Sequence, residues 1–192
     1  MRKKRDEVRQ RIINAAYESF WRSGFRRTSM DGIAARAGLT KRTVYSYFRS
    51  KDDLLAAVLV HYHGLATARL QRIDDRLPVD RDDMIASLFG QLASWASATP
   101  RWTGSGLTRL VVELADMPGH PARAIARKAK ATVEIWLTER LGAARVALPA
   151  KRARELMLLV EGAMTLMLIH GDRSYADAAA EAARRLVRQR SS

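Results

Sequence analysis

Apolar residues recur at helical spacing along this chain, and the runs break at glycine, proline or capping residues. Val8, Ile12, Ala16 and Phe20, each four residues after the last, put one apolar edge on a helix ending near Gly24. Met30, Ile33, Ala34 and Ala37 follow at i, i+3, i+4 and i+7, the stripe of a short helix with one buried face. Thr28 or Ser29 can cap it, because a hydroxyl accepts a bond from an unpaired first-turn N–H. Gly38 stands where a helix end often needs a left-handed residue. Thr40 can cap again, and a second helix is expected through about Phe48 with Val44 and Phe48 on its inner edge. Two short helices joined by a glycine-containing turn form a helix-turn-helix. Ala34 supplies a small side chain where the two must approach closely.

Further helices follow by the same signals. Ser50 and Asp53 form a capping-box pattern before a long helix marked by Leu54, Leu55, Val58, Leu59, Tyr62 and Leu65, running to about Arg76. "RLPVD" at 76–80 reads as a linker, and Asp80 can cap a helix striped by Ile85, Leu88, Phe89, Leu92 and Trp95 that stops at Pro100. Another helix is expected over about Ser105–Ala115, broken by "MPGHP" at 117–121. Ile125, Ala129, Val133, Trp136 and Leu141 stripe the next. Pro149 suits the first turn of a helix reaching about His170, and "HGDRS" separates it from an alanine-rich helix at 175–189. No strand-length alternation, repeat or low-complexity segment competes, so the chain reads as all-α.

The outer side of the second short helix changes the picture from fold to chemistry. Lys41, Arg42, Thr43, Tyr45, Ser46 and Tyr47 leave that surface cationic or hydroxylic, which suits a helix placing donors against base edges and phosphates. A solvated helix face is the ordinary alternative, and the turn grammar favours DNA. Charge agrees: residues 1–51 hold 14 Lys or Arg against 4 Asp or Glu, whereas residues 52–192 hold 20 against 16. Cations thus concentrate around the proposed reader, as phosphate neutralisation requires. The opening "MRKKR" fits either a mobile arm that reaches DNA or a solubilising tail.

Composition removes other classes. With 192 residues, 47% of them hydrophobic, there is material for an ample core, as one domain or a small one joined to a larger. The absence of cysteine excludes disulfides and thiolate metal sites and fits a reducing cytoplasm. No apolar segment follows the N-terminal charges as a secretory signal would require. The apolar run at 156–169 contains Glu161 and is shorter than the ~20 residues of a membrane span. No metalloprotease, P-loop or nucleotide-binding glycine pattern is present, so no catalytic residue is assigned.

The segment "AAYESFWRSGFRRTSMDGIAARAGLTKRTVYSYFRSKDDLL" resembles the DNA-binding domain of the TetR (tetracycline repressor) family. The shared pieces are Gly-aromatic before Thr, Ile-Ala, Ala-Gly-Leu-Thr, Thr-Val-Tyr, Tyr-Phe and Ser-Lys-Asp. The resemblance implies a homodimeric transcription regulator, usually a repressor, that leaves a double-stranded operator when a small molecule binds its C-terminal domain. It also implies a DNA-binding domain over residues 1–50 and an effector-binding and dimerisation domain over 51–192; the residues themselves give no reason to expect a cofactor or metal. Arg42 departs from the family, which often has a small residue or proline there. By position, Thr28 or Ser29, Tyr47 and Lys51 resemble phosphate contacts, and Lys41, Arg42, Thr43, Tyr45 and Ser46 resemble the base-facing set, with Thr40 also expected at the DNA; packing at the edge of the motif is the alternative for Tyr45. Arg42 suits either a bidentate contact to guanine or a phosphate clamp.

Expectations for the rest of the chain are broader. Tyr62, Trp95, Trp102, Met117, Trp136 and Met164 could line an apolar effector pocket, with ordinary core packing as the competing role. Glu113 and Glu161 stand in apolar runs, need a partner and join the candidate effector-binding residues; Glu161 could contact a ligand, pair with an arginine or bridge the dimer. His61 and His63 lie two apart, on different helix faces, and are unsuited to a shared metal; His170 suits a helix C-terminus. Gly162 and Ala163 permit close helix approach and, with Leu166 and Leu186 on the last two helices, mark the expected dimer interface. The alternative function is a ligand-independent or architectural DNA-binding protein.

Overall fold

The structure, a computed structural model, describes residues 2–74, 77–78, 80–99 and 102–189, without the side chains of residues 2, 65, 66, 69 and 70. Expectations resting on Leu65, Arg76, Val79 and Pro100 lie outside this description. The described residues form α1 (Arg2–Ser23), α2 (Met30–Arg36), α3 (Lys41–Tyr47), α4 (Lys51–Asp74), α5 (Arg81–Ala98), α6 (Gly106–Val112), α7 (Pro121–Ala143), α8 (Pro149–His170) and α9 (Ser174–Arg188). They contain no strand, and the fold is all-α.

The chain separates into two compact units, Met1–Thr67 with Gly106–Ala129, and Ala68–Ser105 with Lys130–Ser192. In the first, Ile12, Ala16 and Phe20 of α1 meet Ile33 and Ala34 of α2, Val44 of α3, and Leu54, Leu55, Val58 and Leu59 of α4. Leu107, Leu110 and Leu114, from α6 and the turn after it, and Ala122, Ala126 and Ala129 of α7 join the same core. Burying each large aliphatic or aromatic side chain here contributes ~1.5–3 kcal/mol relative to exposure. Gly106 is where α6 touches α1: a Cβ there would overlap the Trp21 ring. Periodicity identified the inner edges of α1 to α4, but gave none for α6 and did not show that residues beyond 100 close this core.

Two boundaries differ from expectation for physical reasons. The first helix begins at Arg2, so the residues read as an arm or tail from Lys3 onward are turns of α1. Pro121, expected to be part of a break, is the first residue of α7. A proline costs nothing there because a first-turn N–H has no helical partner, and the buried His120 Nδ1 accepts from the Ala122 N–H at 3.1 Å.

The second unit packs Met84, Ile85 and Phe89 of α5 against Leu137 and Leu141 of α7, Ala153, Leu156 and Ala163 of α8, and Ala179, Ala183 and Val187 of α9. Asp80 caps α5, accepting from the N–H groups of Asp82 (2.8 Å) and Asp83 (3.0 Å). Pro149 opens α8, and Gly171 ends it in the left-handed conformation with φ +65°. Among the described residues, no helix is long and apolar enough to cross a membrane.

Candidate nucleic-acid interface

Local chemistry builds the α2–turn–α3 segment. The Ser29 hydroxyl accepts from the Gly32 N–H at 3.1 Å and starts α2. Gly38, at φ +61°, reverses the chain, and the Leu39 N–H donates to the Ala34 carbonyl at 2.9 Å. A side chain at that φ would be strained, which explains glycine in the turn. The Thr40 hydroxyl accepts from the Thr43 N–H at 3.1 Å and caps α3. Val44 is fully buried and Phe48 is 2% exposed, so the inner edge fixes the rotation of α3 about its axis.

That rotation turns Lys41, Arg42, Tyr45 and Ser46 outward on one arc, with Arg49 exposed just beyond the helix. Lys41 pairs with Asp31 of α2 at 3.0 Å, and that hydrogen bond raises the pKa of the ammonium. Being fully exposed, this pair is easily exchanged for a phosphate. The Ser46 hydroxyl donates to the Thr43 carbonyl at 2.7 Å and keeps its acceptor lone pairs. Thr43 and Tyr47 are half-buried at the margins of the arc. Arg42 has no ion pair among the described residues, and its donors face outward.

Two expected contacts are corrected. Thr28 is buried, its hydroxyl 2.7 Å from the Gly24 carbonyl and 3.2 Å from that of Ser19, so it ties the α1–α2 turn together and leaves Ser29 as the exposed hydroxyl. Lys51 is half-buried, with Nζ 3.0 Å from the Phe25 carbonyl, 3.1 Å from that of Thr28 and 3.5 Å from that of Arg26, over the Phe25 ring. An ammonium has three donors, and these carbonyls engage them. Lys51 therefore positions the turn before α2. Lys51→Met keeps the stem and removes the donors; it is expected to cost ~1–3 kcal/mol in denaturant unfolding. The salt dependence of duplex binding should stay unchanged, and a slope lower by about one per subunit would return Lys51 to the phosphate contacts.

The residues expected around an effector are divided between the two units. Tyr62 belongs to the first unit, with ring centroids 5.6 Å from Trp21 and 6.1 Å from Tyr17. Glu113 also lies there: it accepts from the Arg26 N–H at 3.1 Å, while the Arg26 guanidinium donates to the Glu113 carbonyl at 3.1 Å and to Asp116 at 2.6 Å. Hydrogen bonding to Arg26 holds the Asp116 carboxyl below its ordinary pKa. This clasp between the turn after α1 and the turn after α6 left no signal in sequence, since its partners are about 90 residues apart. Met117 is exposed beyond α6. In the second unit, Trp95 and Trp102 meet edge to face at 5.8 Å beside Met164, and Glu161 pairs with Lys130. Trp136 donates from Nε1 to Asp74 at 2.8 Å, a structural tie.

The expected dimer residues also divide. Gly162 is open on the outer side of α8, with nothing within 4 Å of a built Cβ. Leu166 is 37% exposed, and Leu186 is half-buried. Ala163 is corrected, because it points into the core of its own unit and is 4% exposed. Leu158, Leu168 and Ile169, not singled out from sequence, are exposed on α8.

The fold and the outward arc of α3 define an all-α helix-turn-helix protein. The family profile for bacterial regulatory proteins of the tetR family matches residues 12–58. SrpR, a helix-turn-helix transcriptional regulator of Pseudomonas putida, is 46% identical over 54 residues, covering 28% of this chain and 25% of its own length. FasR, a transcriptional activator of Mycolicibacterium smegmatis, is 46% identical over 55 residues, covering 29% of this chain and 25% of its own. These matches thus span about a quarter of each relative's length. The structure of E. coli NemR in its reduced form superposes with a TM-score of 0.82 at 19% identity, covering 94% of this chain and 97% of that one. Residues 12–58 thus match the helix-turn-helix domain of the tetR family, and the chain as a whole shares the fold of solved TetR-family regulators.

Proposed function

We propose that this protein is a dimeric, cytoplasmic, sequence-specific DNA-binding regulator, most simply a repressor released by a small-molecule effector. The functional division is the one expected from sequence: residues 1–50 read DNA, and residues 51–192 hold the effector and the dimer contacts. The observation that carries the reading is the outward arc of α3, where Lys41, Arg42, Tyr45 and Ser46 stand on a helix locked from behind by Val44. A helix of this kind enters a major groove, where side chains of these types meet base edges and phosphates. Ser29 and Tyr47 flank the arc as phosphate contacts, and Thr40 and Thr43 complete the start of the helix. None of the roles proposed here is catalytic.

Support for an effector site lies in the second unit. Trp95, Trp102, Met164 and Met167 form an apolar, aromatic cluster. Trp102 Nε1 and Thr103 Oγ1 are buried beside it, without a hydrogen-bond partner among the described residues. An unpaired buried donor costs ~1–3 kcal/mol, so an occupant offering an acceptor gains that much there. A flat apolar molecule carrying an acceptor oxygen is the effector class this chemistry suits.

Sequencing genomic fragments retained by the purified protein tests the DNA reading; recovery without sequence preference would favour the architectural alternative. The bound promoters also suggest effectors. An effector that releases the protein should bind the operator-bound form more weakly, by the same factor by which it weakens operator binding. Titrations on free and operator-bound protein check this, and equal affinities exclude that molecule as the inducer.

A further inference from the structure

The first turns of α1 raise a question the helix-turn-helix does not answer. From Ile12 onward α1 is held by the core, but Lys3 to Glu7 are exposed and extend the helix without apolar burial. Short helical extensions of this kind have little stability of their own. On this segment Arg5 and Arg9, four residues apart and hence on one face, lie against the end of the reader. The Arg5 guanidinium stands 5.9 Å from the Tyr47 ring centroid, and that of Arg9 stands 5.3 Å from the centroid of Phe48. Both arginines are exposed, and neither is in an ion pair among the described residues.

We infer that Arg5 and Arg9 form a second cationic row that binds the phosphate backbone beside the groove read by α3. A guanidinium packed over a ring keeps most of its five N–H donors for other acceptors, and the planar fork matches a phosphate. The rings fix where the charges stand relative to the reading arc, because Tyr47 is the last residue of α3 and Phe48 is its buried C-cap. The surroundings leave both free to meet an anion. Residues 2–11 contain Arg2, Lys3, Lys4, Arg5, Arg9 and Arg11 against only Asp6 and Glu7. Phosphate contacts add affinity at every sequence and no base preference. Sequence-independent hold is thus assigned to α1 and base selection to α3. This inference rests on the DNA-binding reading for its partner, but not on which operator is read.

The test uses the full-length Arg5→Ala/Arg9→Ala and Arg5→Lys/Arg9→Lys proteins, titrated with operator and with an unrelated duplex over a range of salt. A dimer carries four of these arginines, and each phosphate contact contributes ~0.9 to the slope of log K against log salt. The alanine protein should show a slope shallower by ~2–4 on both duplexes, with unchanged preference between them. The lysine protein should recover most of the slope, since it keeps the charge. An unchanged slope in the alanine protein overturns the inference. So does a loss of affinity with normal slope that lysine fails to rescue, because the arginines would then only hold Tyr47 in place. If the wild-type protein binds duplexes without preference, yet the alanine protein loses slope, the operator reading fails and the backbone row stands.

Discussion

Raising salt from 50 to 200 mM should weaken operator binding by ~10³–10⁵, the response of a protein that releases counterions from ~6–10 phosphates. The charge distribution is the reason: residues 1–51 hold 14 cations against 4 anions. Lys41, Arg42 and Arg49 stand exposed on or just beyond α3. The Lys41–Asp31 pair must open for Lys41 to reach a phosphate, which lowers its net contribution without abolishing it. Arg42→Ala in the same titrations separates reading from clamping. If Arg42 spans guanine O6 and N7, its loss should cost ~1–3 kcal/mol at one base position per half-site and leave other positions alone. A uniform loss across a library of sites, with a slope smaller by about one per subunit, would make Arg42 a phosphate clamp. A flat salt response of the wild-type protein would remove the DNA reading altogether.

The reader was legible in sequence because its construction is local. The Ser29 and Thr40 caps, the left-handed Gly38 and the inner edge of Val44 and Phe48 each depend on residues within a few positions, and all four appear in the structure. The inferences that needed correction depend on distant partners. Lys51 looked like a phosphate contact until the fold brought the carbonyls of Phe25 and Thr28 to its ammonium. Glu113 looked like a ligand group until Arg26, 87 residues away, supplied its partner. Tyr62 sits on the expected helix, yet the turn of that helix places it with Tyr17 and Trp21 of α1. Helical periodicity tells which side chains share a face; it does not tell which other face they meet.

The α1 row is an intermediate case. Its charges were visible in sequence, but their use was not, because an arm, a tail and a helical extension have the same composition. Arg5 and Arg9 acquire a role only once α1 continues to Arg2 and the rings of Tyr47 and Phe48 lie beneath them. The same logic separates Gly162 from Ala163. Adjacent residues on a helix point about 100° apart, so one opens to the outside while the other fills the core.

Replacing Leu158 and Ile169 together with glutamate should convert the protein to folded monomers and reduce operator affinity by ~10²–10⁴. These side chains are 71% and 66% exposed, and with Gly162 and Thr165 they fall on one side of α8 at ~100° per residue. Leu166 and Leu168, exposed at its flanks, widen the apolar strip. An apolar strip of this kind on a water-facing helix marks an interaction surface, and a second copy meeting it about a twofold axis would bury each side chain twice in one contact. Glutamates in that contact would place like charges together out of water, at a cost that a modest interface cannot offset. The fold itself should survive, because neither position touches the core of its own unit, and retained helical circular dichroism with one cooperative unfolding transition, its midpoint no longer dependent on protein concentration, will establish that. Sedimentation reads the association state, and titration with full and half operators reads its consequence. A monomer reaches one half-site at a time, so it should bind both duplexes alike, whereas the dimer strongly prefers the full site. A double-glutamate protein that stays dimeric would place the interface on another face, with α9 the next to test through Leu186.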